Sequence, residues 1–208
     1  MSLLPVIKPA FVVRGLLLLL ATASVQAQPN DAVYSSCVAC HGVNGEGNVA
    51  LKAPALAGQL PGYLQRQLQN FKSGIRGAEA GDTLGMQMRG MASLLADDAA
   101  IAAVVAHIET LPPSQGVAVE FDKRNGENQY NAACGACHGG QAQGNAALNA
   151  PRLAGLDDTY LRRQYSNFGA GLRGSHAEDR YGRQMKMMST MLRTDKDVDD
   201  VMGYIVSQ

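Results

Sequence analysis

The sequence contains no tryptophan, and aromatic residues of every kind make up only 5% of its 208 residues. A chain with so few large side chains builds a thin core, which a bound apolar group can supplement with buried surface of its own. Beyond the N-terminus there is no apolar run of the roughly 20 residues that a membrane span needs. The 18 basic residues balance the 18 acidic ones, which argues against nucleic acid as a partner.

The N-terminus has the three parts of a secretory signal peptide. Lys8 and Arg14 give a positive start, residues 16–25 form an apolar run, and Ala27 offers a cleavage site. The alternative is an uncleaved membrane anchor, but the run is about half the length of a span. We therefore predict a signal peptide over residues 1–27, export to the periplasm, and membrane association that is at most peripheral.

Cysteine is also scarce. All four cysteines fall in two short motifs, Cys37-Val-Ala-Cys40-His41 and Cys134-Gly-Ala-Cys137-His138. Paired cysteines in an exported chain can form disulfides, and two such pairs can form a four-thiolate zinc site. The histidine directly after each pair favours a third interpretation, because Cys-x-x-Cys-His is the attachment sequence of haem c. We expect two covalently attached haem c groups, with His41 and His138 as iron ligands.

The chain is a tandem repeat, since a shift of 97 positions aligns it on itself without a gap from the first attachment motif onward. A repeat of this length is a whole small domain. Pro112 and Pro113 end the preceding helix and begin a short linker. We therefore expect a first domain over residues 28–111, a linker over 112–119 and a second domain over 120–208, with one haem in each domain.

The pattern within each copy predicts helices and no strand, so the fold class is all-α. Residues 60–73 and 157–170 carry apolar side chains at helical spacing. The stretches 97–110 and 195–206 begin with aspartates, which suit a helix N-terminus. Residues 120–133 are expected to contain a further helix that also packs on the first domain.

A methionine thioether is the expected second axial ligand of each iron, because this ligand raises the haem potential into the range of electron carriers. Two methionine pairs recur at the 97-residue shift, Met88 with Met185 and Met91 with Met188. We favour the first pair, which follows Gly85 and Gly182 and is expected to lie in loops that approach the iron. The second pair is expected at core positions leading into the last helix. His107 and His176 have no histidine at the matching position and are assigned no ligand role.

With these motifs in hand, the mature chain resembles the two-haem cytochromes c4. The resemblance implies two class I cytochrome c domains, each wrapped around its haem and related to the other by a pseudo-twofold axis. It also implies that the backbone carbonyls of Pro54 and Pro151 accept hydrogen bonds from His41 and His138, although these prolines could simply shape turns. Arg76 and Arg173 are candidate partners for haem propionates, with exposed surface arginines as the alternative.

The function that follows is that of an electron-transfer protein, with no small-molecule substrate and no catalytic residues. Expected partners are periplasmic or membrane-bound redox proteins such as a terminal oxidase or a dehydrogenase. One alternative makes the chain a dedicated cytochrome subunit of a periplasmic dehydrogenase complex. Another is an enzyme such as a two-haem peroxidase, which needs an iron with an open coordination position.

Overall fold

The computed structural model describes Met1 and residues 31–208, so the predicted signal peptide lies, apart from Met1, outside the described residues. The fold is all-α in this part of the chain, as predicted. Its only β-type pairings there are the isolated bridges Asn48–Ala53 and Asn145–Ala150. Among the described helices, none is both long and apolar enough to cross a bilayer.

The first repeat contributes four helices: α1 (Asp31–His41), α2 (Pro61–Ser73), α3 (Thr83–Ala92) and α4 (Asp98–Glu109). The helices predicted over 60–73 and 97–110 are confirmed as α2 and α4. Helix α2 has proline in its first turn, where the missing N–H costs nothing, and ends at Gly74 in the left-handed conformation. Asp97 caps α4 by accepting a hydrogen bond from the Ala100 amide.

The second repeat contributes five: α5 (Lys123–Ala133), α6 (Gly135–His138), α7 (Asp158–Gly169), α8 (Arg180–Met188) and α9 (Asp195–Val206). A single 3₁₀ turn covers Ala146–Leu148. Helices α7 and α9 confirm the two predicted for this copy, and α9 opens with a capping box between Thr194 and Asp197. Helix α5 lies where a helix was expected, and its main packing partner is α9 of its own repeat.

In each repeat the helix that leads into the attachment motif packs on the last helix. In the first repeat α1 packs on α4, and the rings of Tyr34 and His107 stack with their centroids 5.0 Å apart. In the second repeat α5 packs on α9 through Tyr130 and Tyr204, whose ring centroids are 5.1 Å apart. This packing places each attachment motif close to the last helix of its repeat.

The packing of α5 on α9 carries a buried carboxylate that the first repeat lacks. Asp200, 3% exposed, accepts hydrogen bonds from the Asp122 amide at 2.9 Å, from Asn125 at 2.7 Å and from Lys196 at 2.5 Å. The matching position in the first repeat is Ala103. Burial raises the pKa of Asp200, but the hydrogen bonds from Lys196, Asn125 and Asp122 outweigh it and lower the pKa to about 2.

The segment between α4 and α5 runs between the two repeats without regular structure. It passes against two glycines that match under the 97-residue shift, Gly58 and Gly155, both with positive φ. A Cβ on Gly58 would lie 2.8 Å from the Pro113 Cβ, and one on Gly155 would lie 2.3 Å from the Ser114 carbonyl oxygen. Both positions therefore require glycine, because the linker occupies the space where a side chain would be.

A glutamine and a backbone peptide also join the two repeats directly. The Gln59 amide donates to the Arg152 carbonyl at 2.8 Å and accepts from the Arg152 N–H at 2.9 Å. The position that matches Gln59 in the second repeat is Leu156. This two-bond bridge therefore occurs once and breaks the symmetry of the pair.

Candidate functional site

The attachment motifs sit at helix ends beside the last helix of each repeat. Cys37 and Cys40 are three residues apart in α1 and so lie on one face of it, and Cys134 precedes the short helix α6 that contains Cys137. No disulfide joins any two of the four cysteines. Burial raises the pKa of the Cys37 thiol and raises that of Cys134 to about 11. The direction of both shifts is opposite to that of the low-pKa thiols of dithiol redox motifs.

The zinc alternative finds no support in the described part of the chain. No group of three or more histidine, cysteine or acidic side chains lies close enough there to hold a metal ion. The two cysteine pairs lie in different repeats.

Each motif histidine is held by a proline carbonyl thirteen residues further along the chain. The distance from Nδ1 to the carbonyl oxygen is 2.8 Å for His41 and Pro54, and 2.9 Å for His138 and Pro151. Because a carbonyl only accepts, Nδ1 carries the proton and Nε2 keeps its lone pair. Burial lowers the pKa of both histidines, and the hydrogen bond to the proline carbonyl opposes this only in part. Both imidazole rings are therefore neutral, and each offers the Nε2 electron pair that an iron ion can bind.

Met88 and Met185 lie in helices α3 and α8, so the expectation of loops at these positions was wrong. Met91 shares α3 with Met88, and Met188 is the last residue of α8. The expectation that Met91 and Met188 are core residues was also wrong, since they are 39% and 36% exposed, whereas Met88 and Met185 are half-buried. The pairs therefore differ in burial and not in secondary structure.

The glycines before these methionines are buried helix residues. A Cβ on Gly85 would lie 2.1 Å from the carboxylate of Asp82, which caps α3 by accepting from the Gly85 amide at 2.9 Å. Gly77, with φ of +76°, approaches from the other side, and its Cβ would lie 2.3 Å from the Gly85 carbonyl oxygen. Gly174, Asp179 and Gly182 repeat this arrangement at α8. The glycines thus fix where each methionine helix begins.

Arg76 and Arg173 are buried between the repeats, each only 8% exposed, which excludes the exposed-arginine alternative. Each guanidinium stacks on a phenylalanine of its own repeat, Arg76 on Phe71 and Arg173 on Phe168. In the described part of the chain, no carboxylate lies within 4 Å of either guanidinium, and both Nε atoms lack a hydrogen-bond partner. A buried cation without an anion is costly, so these sites are suited to an anionic ligand group.

The two arginines share a reciprocal set of hydrogen bonds across the repeats. Arg76 donates to Gln67 at 2.6 Å and to Gln164 at 3.1 Å, and Arg173 donates to Gln164 at 2.9 Å and to Gln67 at 3.0 Å. Contacts that recur with the repeats exchanged indicate a pseudo-twofold axis. This axis passes through a cluster of four side chains, two from each repeat.

Two further arginines at the same place escaped prediction. Arg66 reaches across to Asn149 at 2.8 and 3.0 Å, and Arg163 reaches back to the Lys52 carbonyl at 2.8 Å. Lys52 and Asn149 are themselves repeat equivalents. Both Nε atoms are again buried and unpartnered. Arg66 and Arg163 do recur at the 97-residue shift, and that signal was available in the sequence.

Tyr63 reports the positive potential of this region. Burial raises its pKa, but the charges of Arg173 and Arg76, together with the 2.9 Å hydrogen bond from Arg173, outweigh burial and lower the pKa overall. A tyrosine whose ionised form is favoured by its surroundings indicates a field that attracts anions.

A single cavity of about 760 Å³ connects all of these groups. Its lining includes both attachment motifs, both candidate methionine pairs and the four arginines Arg66, Arg76, Arg163 and Arg173. The donor set fits a haem in each repeat: thiols for attachment, a neutral histidine and a thioether for the iron, an apolar wall, and unpartnered guanidinium N–H groups for carboxylates.

The profile of the family described as cytochrome c matches the chain twice, over residues 30–112 and 124–208. The chain belongs to the cytochrome c family. It is 30% identical to cytochrome c4 of Azotobacter vinelandii, over 89% of this chain and 90% of that protein. It is 32% identical to a protein of Thiomonas intermedia named thiosulfate dehydrogenase electron acceptor, over 93% of this chain and 87% of that one. Reduced cytochrome c4 of Pseudomonas stutzeri superposes with a TM-score of 0.67 at 26% identity, covering 85% of this chain and 95% of that one.

These likenesses confirm the central predictions. The chain is a dihaem cytochrome of the c4 type, built from two tandem cytochrome c domains, with one covalently attached haem c in each. It is an electron-transfer protein. The first domain contains Cys37 and Cys40 and the second contains Cys134 and Cys137.

Proposed function

We propose that this cytochrome is a periplasmic one-electron carrier in which both irons have histidine and methionine as axial ligands. His41 and Met88 would serve the first haem, and His138 and Met185 the second. The observation that supports this most directly is the shared cavity, which contains all four side chains together with both attachment motifs. A bound haem c supplies one-electron chemistry at an iron whose two axial positions are filled.

The polypeptide contributes orientation and charge. Pro54 and Pro151 hold the histidine rings with Nε2 free, so that neither ligand has to rotate or lose a proton to bind. The four arginines would receive the haem carboxylates, which would compensate the desolvation of the two buried ones, Arg76 and Arg173. These arginines also bridge the repeats, so the side chains that would hold the two haems lie next to each other at the pseudo-twofold axis.

The proposal includes export and domain limits. Residues 1–27 would be removed after Ala27, leaving domains over 28–111 and 120–208 joined by residues 112–119. The family profile leaves a comparable gap, between residues 112 and 124. Mass spectrometry of the protein from a periplasmic fraction tests cleavage, since an intact N-terminus would contradict it.

The optical spectrum of the purified protein tests the ligation. We expect a near-infrared sulfur-to-iron band that corresponds to two haems in the oxidised state, and no spectral shift when carbon monoxide is added to the reduced state. A band for only one haem, with carbon monoxide binding, would show that one iron lacks its methionine. That result would favour an enzyme over a carrier.

A more specific role is acceptance of electrons from a dehydrogenase that oxidises a sulfur compound. It is favoured by the likeness to the Thiomonas intermedia protein named as an acceptor for thiosulfate dehydrogenase. The test mixes the oxidised cytochrome with purified thiosulfate dehydrogenase and thiosulfate, and follows haem reduction. Reduction no faster than without the enzyme would restrict the proposal to a general carrier.

A further inference from the structure

The two methionine helices differ in charge although they are repeat equivalents. Residues 176–186 contain three basic and two acidic residues, whereas residues 79–89 contain one basic and two acidic residues. The additional cations are Arg180 and Arg183, which replace Thr83 and Met86 of the first repeat. The second repeat therefore carries two more positive charges than the first around its methionine helix.

The three cations Arg180, Arg183 and Lys186 follow each other at three-residue intervals along α8 and form what we call the α8 basic face. Arg180 and Arg183 are exposed, and Lys186 is half-buried with its amine 2.8 Å from the Ser175 hydroxyl. None of the three forms an ion pair within the described residues. Their charge is therefore available to a partner.

The α8 basic face adjoins the haem cavity. Arg180, Gln184 and Met187 line both the cavity and a shallow depression that also includes Arg183 and Lys186. Met187, Met188 and Met191 line the edge of the haem cavity next to this face, and Met187, 68% exposed, also lines the depression. Two of their counterparts in the first repeat are Gly90 and Leu94. Exposed methionine adapts its shape to different surfaces and is frequent at transient binding sites.

Resting on the proposed carrier function, we propose that the α8 basic face with its methionines is the docking surface for a redox partner protein whose contact region carries carboxylates. Charge complementarity of this kind speeds encounter and fixes orientation without requiring a large interface. The exposed Glu178 lies two residues before Arg180. A uniformly anionic lipid surface would repel this carboxylate, whereas a protein surface can place a cation opposite it.

The experiment measures adsorption of the intact holoprotein on gold coated with a carboxylate-terminated monolayer, read as haem voltammetry over a series of salt concentrations. The test variant is R180Q/R183Q, and the matched control is K123Q/R124Q, which removes two exposed charges from the same domain. We expect the test variant to lose about tenfold in electroactive coverage at physiological salt, and the control to stay close to the wild type.

Equal losses in both variants would overturn the proposal, because net charge alone would then explain adsorption. An unchanged test variant would overturn it as well. Vesicles of phosphatidylglycerol provide the lipid comparison: binding to vesicles that needs Arg180 and Arg183, with monolayer adsorption that does not, would assign the face to lipid.

Each variant is first checked for its near-infrared sulfur-to-iron band. If the wild type lacks that band for either haem, the carrier function fails, whereas intact spectra with unselective adsorption refute only the docking surface. Should the double variant lose its band, R183Q alone is used.

Discussion

Gly85 and Gly182 show how a single residue type can be read in two ways. Glycine ahead of a candidate ligand indicates a loop that comes close to the metal, which is what we expected from the sequence. In the structure both glycines are helical and buried, and their lack of a side chain makes room for the capping aspartate. The repeat identified the right glycines, but a repeat does not say whether the conserved property is flexibility or small size.

The choice between Met88 and Met91 is also settled at the residue scale. The variant M88L should halve the near-infrared sulfur-to-iron band and allow carbon monoxide to bind one haem, because leucine offers the iron no donor. M91L is the control from the next turn of the same helix and should leave both properties as in the wild type. Halving of the band in M91L, with M88L unaffected, would identify Met91 as the ligand.

At the scale of elements, helix positions were largely predictable. The predicted bounds of α2, α4, α7 and α9 agree with the structure to within one residue at each end, because apolar periodicity and capping aspartates act locally. Helices α3 and α8 were missed. Their sequences are short and rich in glycine and methionine, and they are held in place by Gly77 and Gly174, which lie outside them.

This dependence predicts the effect of a change outside the helix. G77A should reduce the free energy of unfolding by more than about 1 kcal/mol, since alanine is strained at positive φ and its Cβ would collide with the Gly85 carbonyl. It should also weaken the near-infrared band of the first haem alone. Denaturant unfolding and the optical spectrum measure the two effects.

The control is G90A, within α3, where a Cβ would meet no atom within 4 Å. In a helix interior alanine is more favourable than glycine by up to about 1 kcal/mol, so G90A should keep or raise the free energy of unfolding. A loss in G90A as large as that in G77A would mean that α3 tolerates no change and that the close approach of Gly77 is not the cause.

The Asp200 network predicts a dependence on pH for the packing of α5 on α9. The folded pKa, about 2, lies below the ordinary value of 3.8. The stabilisation is therefore fully present above pH 3.8 and is lost as the pH falls through 2. D200N should cost roughly 1–3 kcal/mol at neutral pH, and this difference from the wild type should shrink as the pH falls from 4 to 2.

Urea unfolding of both proteins across that pH range gives the measurement. D199N is the neighbouring control, because Asp199 forms a largely exposed ion pair with Arg162, and such pairs contribute roughly 0–1 kcal/mol. If the loss in free energy of unfolding caused by D200N stays constant down to pH 2, it comes from the shape of the asparagine side chain and not from the missing charge.

At the scale of the whole molecule, the sequence predicted two domains and two haems but not what joins them. Comparing the two repeats finds every residue that both share, whether that residue packs within its own domain or contacts the other domain. For this reason the repeat did not distinguish Arg66 and Arg163, which bond across the interface, from repeated residues that pack within one domain. Asymmetric contacts such as the one between Gln59 and Arg152 leave no signal in a repeat at all.

That contact gives a prediction about the domain interface. Q59A should speed hydrogen exchange at the Arg152 amide by roughly fivefold, the change expected from losing about 1 kcal/mol of hydrogen bonding. Protection of the two domain cores should remain unchanged. The control Q69A removes an amide that bonds only to Asp98 within the first repeat, and a similar change at Arg152 in that variant would contradict a direct bridge.

The linker has a consequence for separating the two domains. Pro113 and Ser114, adjacent in the chain, fill the space above Gly58 and Gly155. Domains cut apart on either side of the linker would lack both residues. The present interface therefore depends on the peptide connection as well as on side-chain contacts such as the one between Gln59 and Arg152.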